Sequence, residues 1–132
     1  MEWCAQRNLE QFLEENKNRQ LSELEAIQIF NEILSGLYFL HDQNVIHRDI
    51  KTENIVCNNG CWKITDFGES KMTQQGIDQK IFMTTKGTPL FASPQMRLSM
   101  YKDIAFSEGT SEYTKLTDVY SAGVLMLKLL YN

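Results

Sequence analysis

The chain has 132 residues, 42% of them hydrophobic, so it can bury one core and no more. A formal net charge of −4 and the lack of a basic run predict no nucleic-acid partner. Polar, acidic N-terminal residues predict no secretory signal, and the longest apolar run, broken by Lys128, is too short for a membrane span. We therefore expect an intracellular, cytoplasmic protein with no membrane partner.

Two helices are predicted in the first third of the chain. Residues 8–15 indicate a short one. Residues 22–25, SELE, form a capping box, so a long helix should begin at Glu23, and Asn44 should end it. Apolar side chains recur along it at helical spacing and predict a broad buried face: Leu24, Ile27, Phe30, Ile33, Leu34, Leu37, Tyr38 and His41.

A β-hairpin is predicted next, over residues 55–64. Two short β-prone runs flank the turn sequence NNG at residues 58–60. Because the chain runs out along one strand and back along the next, Asn54 and Asp66 at its two ends should lie side by side. An amide oxygen beside a carboxylate suits Mg²⁺, which prefers oxygen ligands and shares them with substrate phosphates. The hairpin therefore predicts a magnesium site.

The three cysteines, Cys4, Cys57 and Cys61, have no disulfide-framework spacing. Cys57 and Cys61 flank the hairpin turn and could face each other across it. A zinc site would need two more ligands, and the only histidines are His41 and His47. We expect these cysteines to pack as small apolar side chains.

The last part of the chain is predicted to be a loop followed by a helix. Residues 72–86 are polar and show no period, which indicates a loop. Thr117 is a candidate cap for a final helix, whose apolar residues are Val119, Tyr120, Val124, Leu125, Leu127 and Leu130.

The residues that indicate a chemistry lie between positions 47 and 68, HRDIKTENIVCNNGCWKITDFG. Phosphoryl transfer needs a carboxylate beside the attacking hydroxyl, a cation on the phosphates and oxygen ligands for magnesium. The stretch resembles eukaryotic protein kinases, in which H-R-D-L-x-x-x-N is followed by D-F-G and then A-P-E. Here the corresponding residues are HRDIKTEN, DFG and, at positions 93–95, SPQ.

The resemblance implies an α+β, protein-kinase-like fold: a mainly helical large (C-terminal) lobe with a short β-hairpin at the catalytic loop. Residues 1–132 would form a partial kinase domain that runs from the hinge to the central helix of the large lobe. No G-x-G sequence occurs in the chain, so we expect the small lobe, with its glycine-rich loop, to be absent.

The resemblance also implies roles for the catalytic residues. Asp49 would orient the substrate hydroxyl and accept its proton as general base. Lys51 would reach the transferring phosphate, and a lysine there resembles serine/threonine kinases more than tyrosine kinases. Asn54 and Asp66 would hold Mg²⁺, while Gly68 would let the backbone turn sharply after the metal ligand.

Regulatory and nucleotide-binding residues follow from the same resemblance. Arg48 would bind a phosphate on the activation loop, for which Thr84 and Thr85 are the candidates, and the alternative is that both are merely polar loop residues. The Thr88 hydroxyl would bond to the catalytic aspartate and lysine. Three further positions complete the set. Asp118 would accept backbone N–H bonds from the catalytic loop, and the hinge residues Glu2 and Cys4 would bind the adenine of ATP through their backbone. His47 and Phe67 are expected to pack.

These residues predict an ATP- and Mg²⁺-dependent protein serine/threonine kinase acting on protein substrates. The alternative is a catalytically inactive kinase-like binding module, or a truncated fragment, that acts through a partner, possibly a chain that supplies the small lobe. We expect little activity from the 132 residues alone. At residue 95 the family glutamate is replaced by Gln95, which cannot form that residue's ion pair.

Overall fold

The structure, a computed structural model, describes residues 7–73, 81–84, 88–103 and 110–131. Its helices are α1 (Leu9–Glu15), α2 (Glu23–Asp42), α3 (Pro94–Asp103) and α4 (Lys115–Tyr131). Its strands are β1 (Val45–Ile46), β2 (Ile55–Asn58), β3 (Cys61–Ile64), β4 (Lys71–Met72), β5 (Ile81–Thr84) and β6 (Thr110–Tyr113). Single 3₁₀ turns are formed by Thr52–Asn54 and Phe67–Glu69.

Local capping fixes the starts of the first two helices. The Asn8 side chain accepts from the Gln11 N–H at 2.9 Å, and the Gln11 side chain accepts from the Asn8 N–H at 3.0 Å. Ser22 and Glu25 form the same reciprocal pair at the start of α2. Both predicted helices are therefore confirmed. α2 ends at Asp42, just before Asn44, whose positive φ of 56° a helix cannot continue.

The core lies where α2 packs against α4. Its buried side chains come from both helices, from α1, from β2 and from loops: Leu9, Leu13, Leu21, Ala26, Ile29, Ile33, Leu37, Ile50, Ile55, Phe91, Ala122, Leu125 and Leu129. The predicted buried face of α2 is too broad, since Leu24 is 74% and Tyr38 75% exposed. Apolar residues of α2 occur on more than one of its faces. Which of these faces is buried depends on where the neighbouring helices and strands pack.

The start of α4 corrects another prediction. The helix begins at Lys115, so Thr117 lies within its first turn and is not the cap. The Thr114 hydroxyl oxygen instead accepts from the Leu116 N–H at 3.2 Å. Among the apolar residues predicted for this helix, Leu125 is buried, whereas Leu127 is 57% exposed. Over the described ranges, no helix is long and apolar enough to cross a membrane.

The strands pair as three antiparallel ribbons, β1 with β4, β2 with β3, and β5 with β6. The prediction of a loop over residues 72–86 is therefore wrong in part, because Met72 belongs to β4 and β5 lies within it. Ile81 of β5 is opposite Tyr113 of β6. The preference of residues for a strand depends strongly on the neighbouring strand, so four residues alone give a weak signal.

The predicted hairpin is confirmed. Ile55 is opposite Ile64, and the turn has positive φ at Asn59 (51°) and Gly60 (80°), as a type I′ turn requires.

The cysteines beside the turn do not face each other. Cys57 is opposite Trp62, and Cys61 is opposite Asn58. Because side chains alternate between the faces of a ribbon, Cys57 and Cys61 lie on opposite faces.

Two glycine substitutions should change stability in opposite directions. Added Cβ atoms meet nothing within 4 Å at Gly60 or at Gly123, so only the backbone differs. Gly60→Ala forces a left-handed conformation on alanine and should lower the free energy of unfolding by about 1 kcal/mol. Gly123→Ala, inside α4, should raise it by about 0.5–1 kcal/mol. Urea unfolding followed by circular dichroism measures both, and shifts of the same sign would contradict the assigned turn.

Candidate active site

A buried carboxylate on α4 holds the start of the HRD segment. Asp118 is 1% exposed; its Oδ1 accepts from the Arg48 N–H at 2.8 Å, and its Oδ2 accepts from the His47 N–H at 2.8 Å. The His41 Nε2 lies 2.9 Å from the same Oδ2. Arg48 has a φ of 74°, which costs energy for a residue with a side chain. The two hydrogen bonds to a charged acceptor stabilise this conformation.

The His47 ring links this segment to the Asp-Phe-Gly turn. Its Nε2 is 3.0 Å from the Thr65 carbonyl oxygen, and the Asp49 N–H donates to its Nδ1 at 3.3 Å. A ring with its proton on Nε2 satisfies both contacts. The ring also packs edge-on against Phe67, with centroids 5.3 Å apart. His47 is fully buried and Phe67 half-exposed, and both make the packing contacts expected of them.

Three polar side chains converge on the Asp49 carboxylate. Oδ2 lies 2.6 Å from the Lys51 Nζ and accepts from the Asn54 Nδ2 at 3.0 Å. Oδ1 accepts from the Thr88 hydroxyl at 3.3 Å. The Asn54 Nδ2 also donates to the Asp49 carbonyl at 2.9 Å. The carboxylate is thus held in one orientation, with a cation beside it, as a base for a hydroxyl group would need.

Asn54 and Asp66 lie at the open end of the hairpin. The Thr65 N–H donates to the Asn54 carbonyl at 2.9 Å, which extends the ladder to the residue before Asp66. The Asn54 amide nitrogen faces Asp49, so its Oδ1 is the atom left for a cation. One amide oxygen and one carboxylate fit a Mg²⁺ ion that shares phosphate oxygens. Within the described ranges, no three His, Cys, Asp or Glu side chains form a metal-binding group.

The turn after Asp66 differs from the expectation for Gly68. Asp66 itself takes the left-handed conformation, with a φ of 60°, whereas Gly68 has no positive φ. The Asp66 Oδ1 accepts from the Gly68 N–H at 3.3 Å, and a Cβ on Gly68 would lie 3.2 Å from that oxygen. A side chain at this position would require the Asp66 carboxylate to move by a few tenths of an ångström.

Arg48 has an aromatic partner that the sequence did not indicate. Its guanidinium carbon lies 4.2 Å from the centre of the Tyr113 ring, and its Nη1 donates to the Glu69 carbonyl at 3.2 Å. Both side chains are buried, which strengthens a cation–π contact. Of the candidate phosphorylation sites, Thr84 is the last residue of β5.

Some predicted site residues cannot be placed. Glu2, Cys4 and Thr85 lie outside the described residues. Their predicted roles stay predictions.

Sequence analysis missed a charged cluster at Thr52, within the predicted catalytic loop. The Glu10 carboxylate accepts hydrogen bonds from the Thr52 hydroxyl and from the Lys128 ammonium group. Burial raises the pKa of Glu10, but the hydrogen bonds from Lys128 and Thr52 outweigh it and leave that pKa below its usual value. The signal for this cluster was Lys128, the one charged residue in the apolar C-terminal half of α4.

Comparison with known proteins gives a consistent result. A family model described as the protein kinase domain matches residues 1–132. NUAK family SNF1-like kinase 2 of Homo sapiens is 41% identical over 97 residues, which are 73% of this chain and 15% of that protein. The meiosis-specific serine/threonine-protein kinase mek1 of Schizosaccharomyces pombe is 37% identical over 113 residues, 82% of this chain and 25% of that protein.

A third relative, NUAK family SNF1-like kinase 1 of Mus musculus, is 33% identical over 133 residues, all of this chain and 18% of that protein. The chain thus spans between 15% and 25% of the length of these relatives.

Replacing the buried Asp118 carboxylate should loosen the loop that begins at His47. Asp118→Asn keeps the shape but turns an NH₂ group toward a backbone N–H, so one buried donor loses its acceptor. We expect the free energy of unfolding to fall by about 3 kcal/mol. Urea unfolding measures this loss. The control is Asp42→Asn, at an exposed position, which should stay within about 0.5 kcal/mol of the parent chain. Equal effects from both variants would contradict the anchoring role.

Acid should remove the stabilisation that the Glu10 carboxylate provides. The pKa of Glu10 is lower in the folded chain than in the unfolded chain. As the pH falls, the unfolded chain therefore binds a proton at Glu10 before the folded chain does, and the folded chain loses stability. The contribution is complete above the usual value of 4.5 and is lost as the pH falls through the lower folded value. The parent chain should exceed Glu10→Gln in unfolding free energy at about pH 6, and the gap should shrink by about pH 3. A pH-independent gap would be the contrary result.

Proposed function

The chain belongs to the protein kinase family, and on that premise we propose that it carries the catalytic residues of a serine/threonine kinase. The reaction is transfer of the γ-phosphoryl group of ATP to a Ser or Thr hydroxyl of a protein substrate. The observation that carries the proposal is the convergence of Lys51, Asn54 and Thr88 on the Asp49 carboxylate.

Asp49 is the general base in this proposal. The substrate hydroxyl oxygen attacks the γ-phosphorus, the bond from that phosphorus to the β–γ bridging oxygen breaks, and ADP leaves. Asp49 orients the hydroxyl and accepts its proton. Its side chain is 12% exposed, so it is shielded from water yet reachable. The bonds from Asn54 and Thr88 set its direction before substrate arrives, which lowers the entropic part of the barrier.

Lys51 supplies the positive charge. Its Nζ is 2.6 Å from the Asp49 carboxylate. A phosphoryl group that is transferred to the substrate hydroxyl beside Asp49 would therefore come within reach of the Lys51 ammonium group. There it would neutralise charge that develops on the phosphoryl oxygens. The names of the relatives, and the lysine itself by its resemblance to serine/threonine kinases, support a Ser/Thr acceptor.

Asn54 and Asp66 are the proposed Mg²⁺ ligands, through the Asn54 Oδ1 and the Asp66 carboxylate. When bound, the ion would neutralise the phosphates of ATP. The bond from the Thr65 N–H to the Asn54 carbonyl supports this pairing, because Asp66 is the next residue after Thr65. We further propose that Glu2 and Cys4 bind the adenine, as part of a kinase domain segment that runs through residues 1–132.

Regulation would act through Arg48. A phosphate on Thr84 or Thr85 would offer the guanidinium a charged partner in addition to the Tyr113 ring and the Glu69 carbonyl. This role rests on the resemblance and on the position of Arg48 next to Asp49.

Substitution of the base tests the function. The polypeptide at the length at which the cell makes it, rather than residues 1–132 in isolation, should phosphorylate a degenerate Ser/Thr peptide library with Mg·ATP. In that polypeptide Asp49→Asn should lower kcat by about 10²–10⁴-fold. The Kd for Mg·ATP should change little, because Asp49 is not a proposed ligand of the nucleotide. Asp66→Asn should instead abolish magnesium-dependent nucleotide binding. Asp42→Asn, an exposed carboxamide control, should match the parent protein.

The same assay distinguishes the alternative. Phosphorylation that persists in Asp49→Asn would overturn the assigned base. A parent protein that transfers no phosphate to any peptide would favour the catalytically inactive binding module.

A further inference from the structure

We propose that Lys128, acting through Glu10 and Thr52, positions the C-terminal end of the catalytic loop. These three residues are called the Glu10–Thr52–Lys128 cluster below. The inference that the cluster supports catalysis rests on the proposed function. The inference that it holds the loop in place rests on geometry alone.

The cluster joins three separate elements at one oxygen atom. The Glu10 Oε2 accepts from both the Thr52 hydroxyl and the Lys128 ammonium group. The Lys128 Nζ is also 3.5 Å from the Thr52 Oγ1, so each member contacts the other two. Glu10 belongs to α1, Lys128 to α4, and Thr52 begins the 3₁₀ turn within the catalytic loop. One carboxylate thus ties the turn to two helices.

Burial makes these contacts consequential. Thr52 is fully buried, and its Oγ1 has a second acceptor in the loop itself, the Glu53 Oε2 at 3.1 Å. Loss of the Glu10 carboxylate would therefore leave the hydroxyl a local acceptor but remove the bond that ties Thr52 to α1. The Lys128 and Glu10 side chains are 25% and 28% exposed, which places the ion pair in a partly desolvated setting. The lowered pKa of Glu10 agrees with a carboxylate held by strong donors. Lys128 further lies 6.0 Å from the centre of the Phe91 ring, in the segment before α3.

The cluster complements Asp118 at the other end of the loop. Asp118 holds His47 and Arg48, and the cluster holds Thr52, so both ends of the loop are bound to side chains of α4. Asp118 and Lys128 are ten residues apart in α4, or about 15 Å along its axis. Because both Asp118 and Lys128 belong to one rigid helix, they fix the distance between the two ends of the loop.

A displacement at Thr52 would reach the base. Asn54 is the third residue of the same 3₁₀ turn, and its amide donates to both the carbonyl and the carboxylate of Asp49. If the turn loses its hold, Asn54 moves with it and Asp49 loses the bond that orients it. Lys128 is therefore a positioning residue, which acts on Asp49 through Thr52 and Asn54.

Hydrogen exchange tests whether the cluster holds the loop at Thr52 in place, and it requires no enzymatic activity. Three variants are compared with the parent polypeptide at the length at which the cell makes it: Lys128→Met, Glu10→Gln and the double variant. In each, the backbone N–H groups of residues 52–55 should exchange with solvent about tenfold faster than in the parent. The double variant should add little to either single change, because both remove one cluster. Lys128→Arg, which keeps the charge, should restore most of the protection. The control is Arg19→Met, which removes an ion pair to Glu25 far from the loop.

Two results would overturn the proposal. One is unchanged exchange at residues 52–55 in Lys128→Met. The other is acceleration of equal size along α2, which would report loss of global stability. A second pair of variants repeats the test. Thr52→Val removes the hydroxyl and should accelerate exchange, whereas Thr52→Ser keeps the hydroxyl and should not.

Kinetics then connect the hold to catalysis. In Lys128→Met, kcat should fall about tenfold while the KM for ATP stays within about twofold, because orientation of the base is lost and nucleotide contacts are kept. Faster exchange in a protein whose parent form transfers no phosphate would refute the proposed function and support the positioning role. Faster exchange with unchanged kcat in an active protein would refute the catalytic part of this inference.

Discussion

The structure depends on one buried carboxylate that binds two consecutive backbone N–H groups. Asp118 lies in the first turn of α4, and its bonds to His47 and Arg48 stabilise a backbone that includes a positive φ. A carboxylate buried to this extent needs such donors, because without them its desolvation would cost several kcal/mol. The loop and the helix therefore stabilise each other. The orientation of Asp49, one residue further on, depends on this arrangement.

The second constraint is the register of the β2–β3 hairpin. A one-residue slip would move every side chain to the opposite face and separate the residues at the open end. The turn prevents that slip, because Asn59 and Gly60 both adopt the positive φ that a two-residue hairpin needs. The turn at one end of the ribbon thus determines that Asn54 and Thr65 meet at the other end, next to Asp66. Neither residue of the turn belongs to the site.

Sequence analysis succeeded where the signal is local. The capping box at Ser22 and the NNG turn act within four residues, and each formed as predicted. It failed where a distant partner decides. The exposure of Leu24, the pairing of β5 with β6 and the contact of Arg48 with Tyr113 all depend on which surfaces meet after folding. The motif indicated the residues around Asp49, but the Glu10 contact joins positions separated by most of the chain.

The bonds that Asp118 makes to the loop have a consequence for its evolution. They go to main-chain N–H groups, which every residue except proline possesses. Side chains at positions 47 and 48 can therefore drift without loosening this attachment, provided that proline is avoided and the backbone at 48 tolerates its left-handed turn. Position 118 has no such latitude, since a shorter or uncharged side chain leaves a donor unmatched. This attachment of the loop therefore constrains the identity of residue 118 more than the side chains at positions 47 and 48.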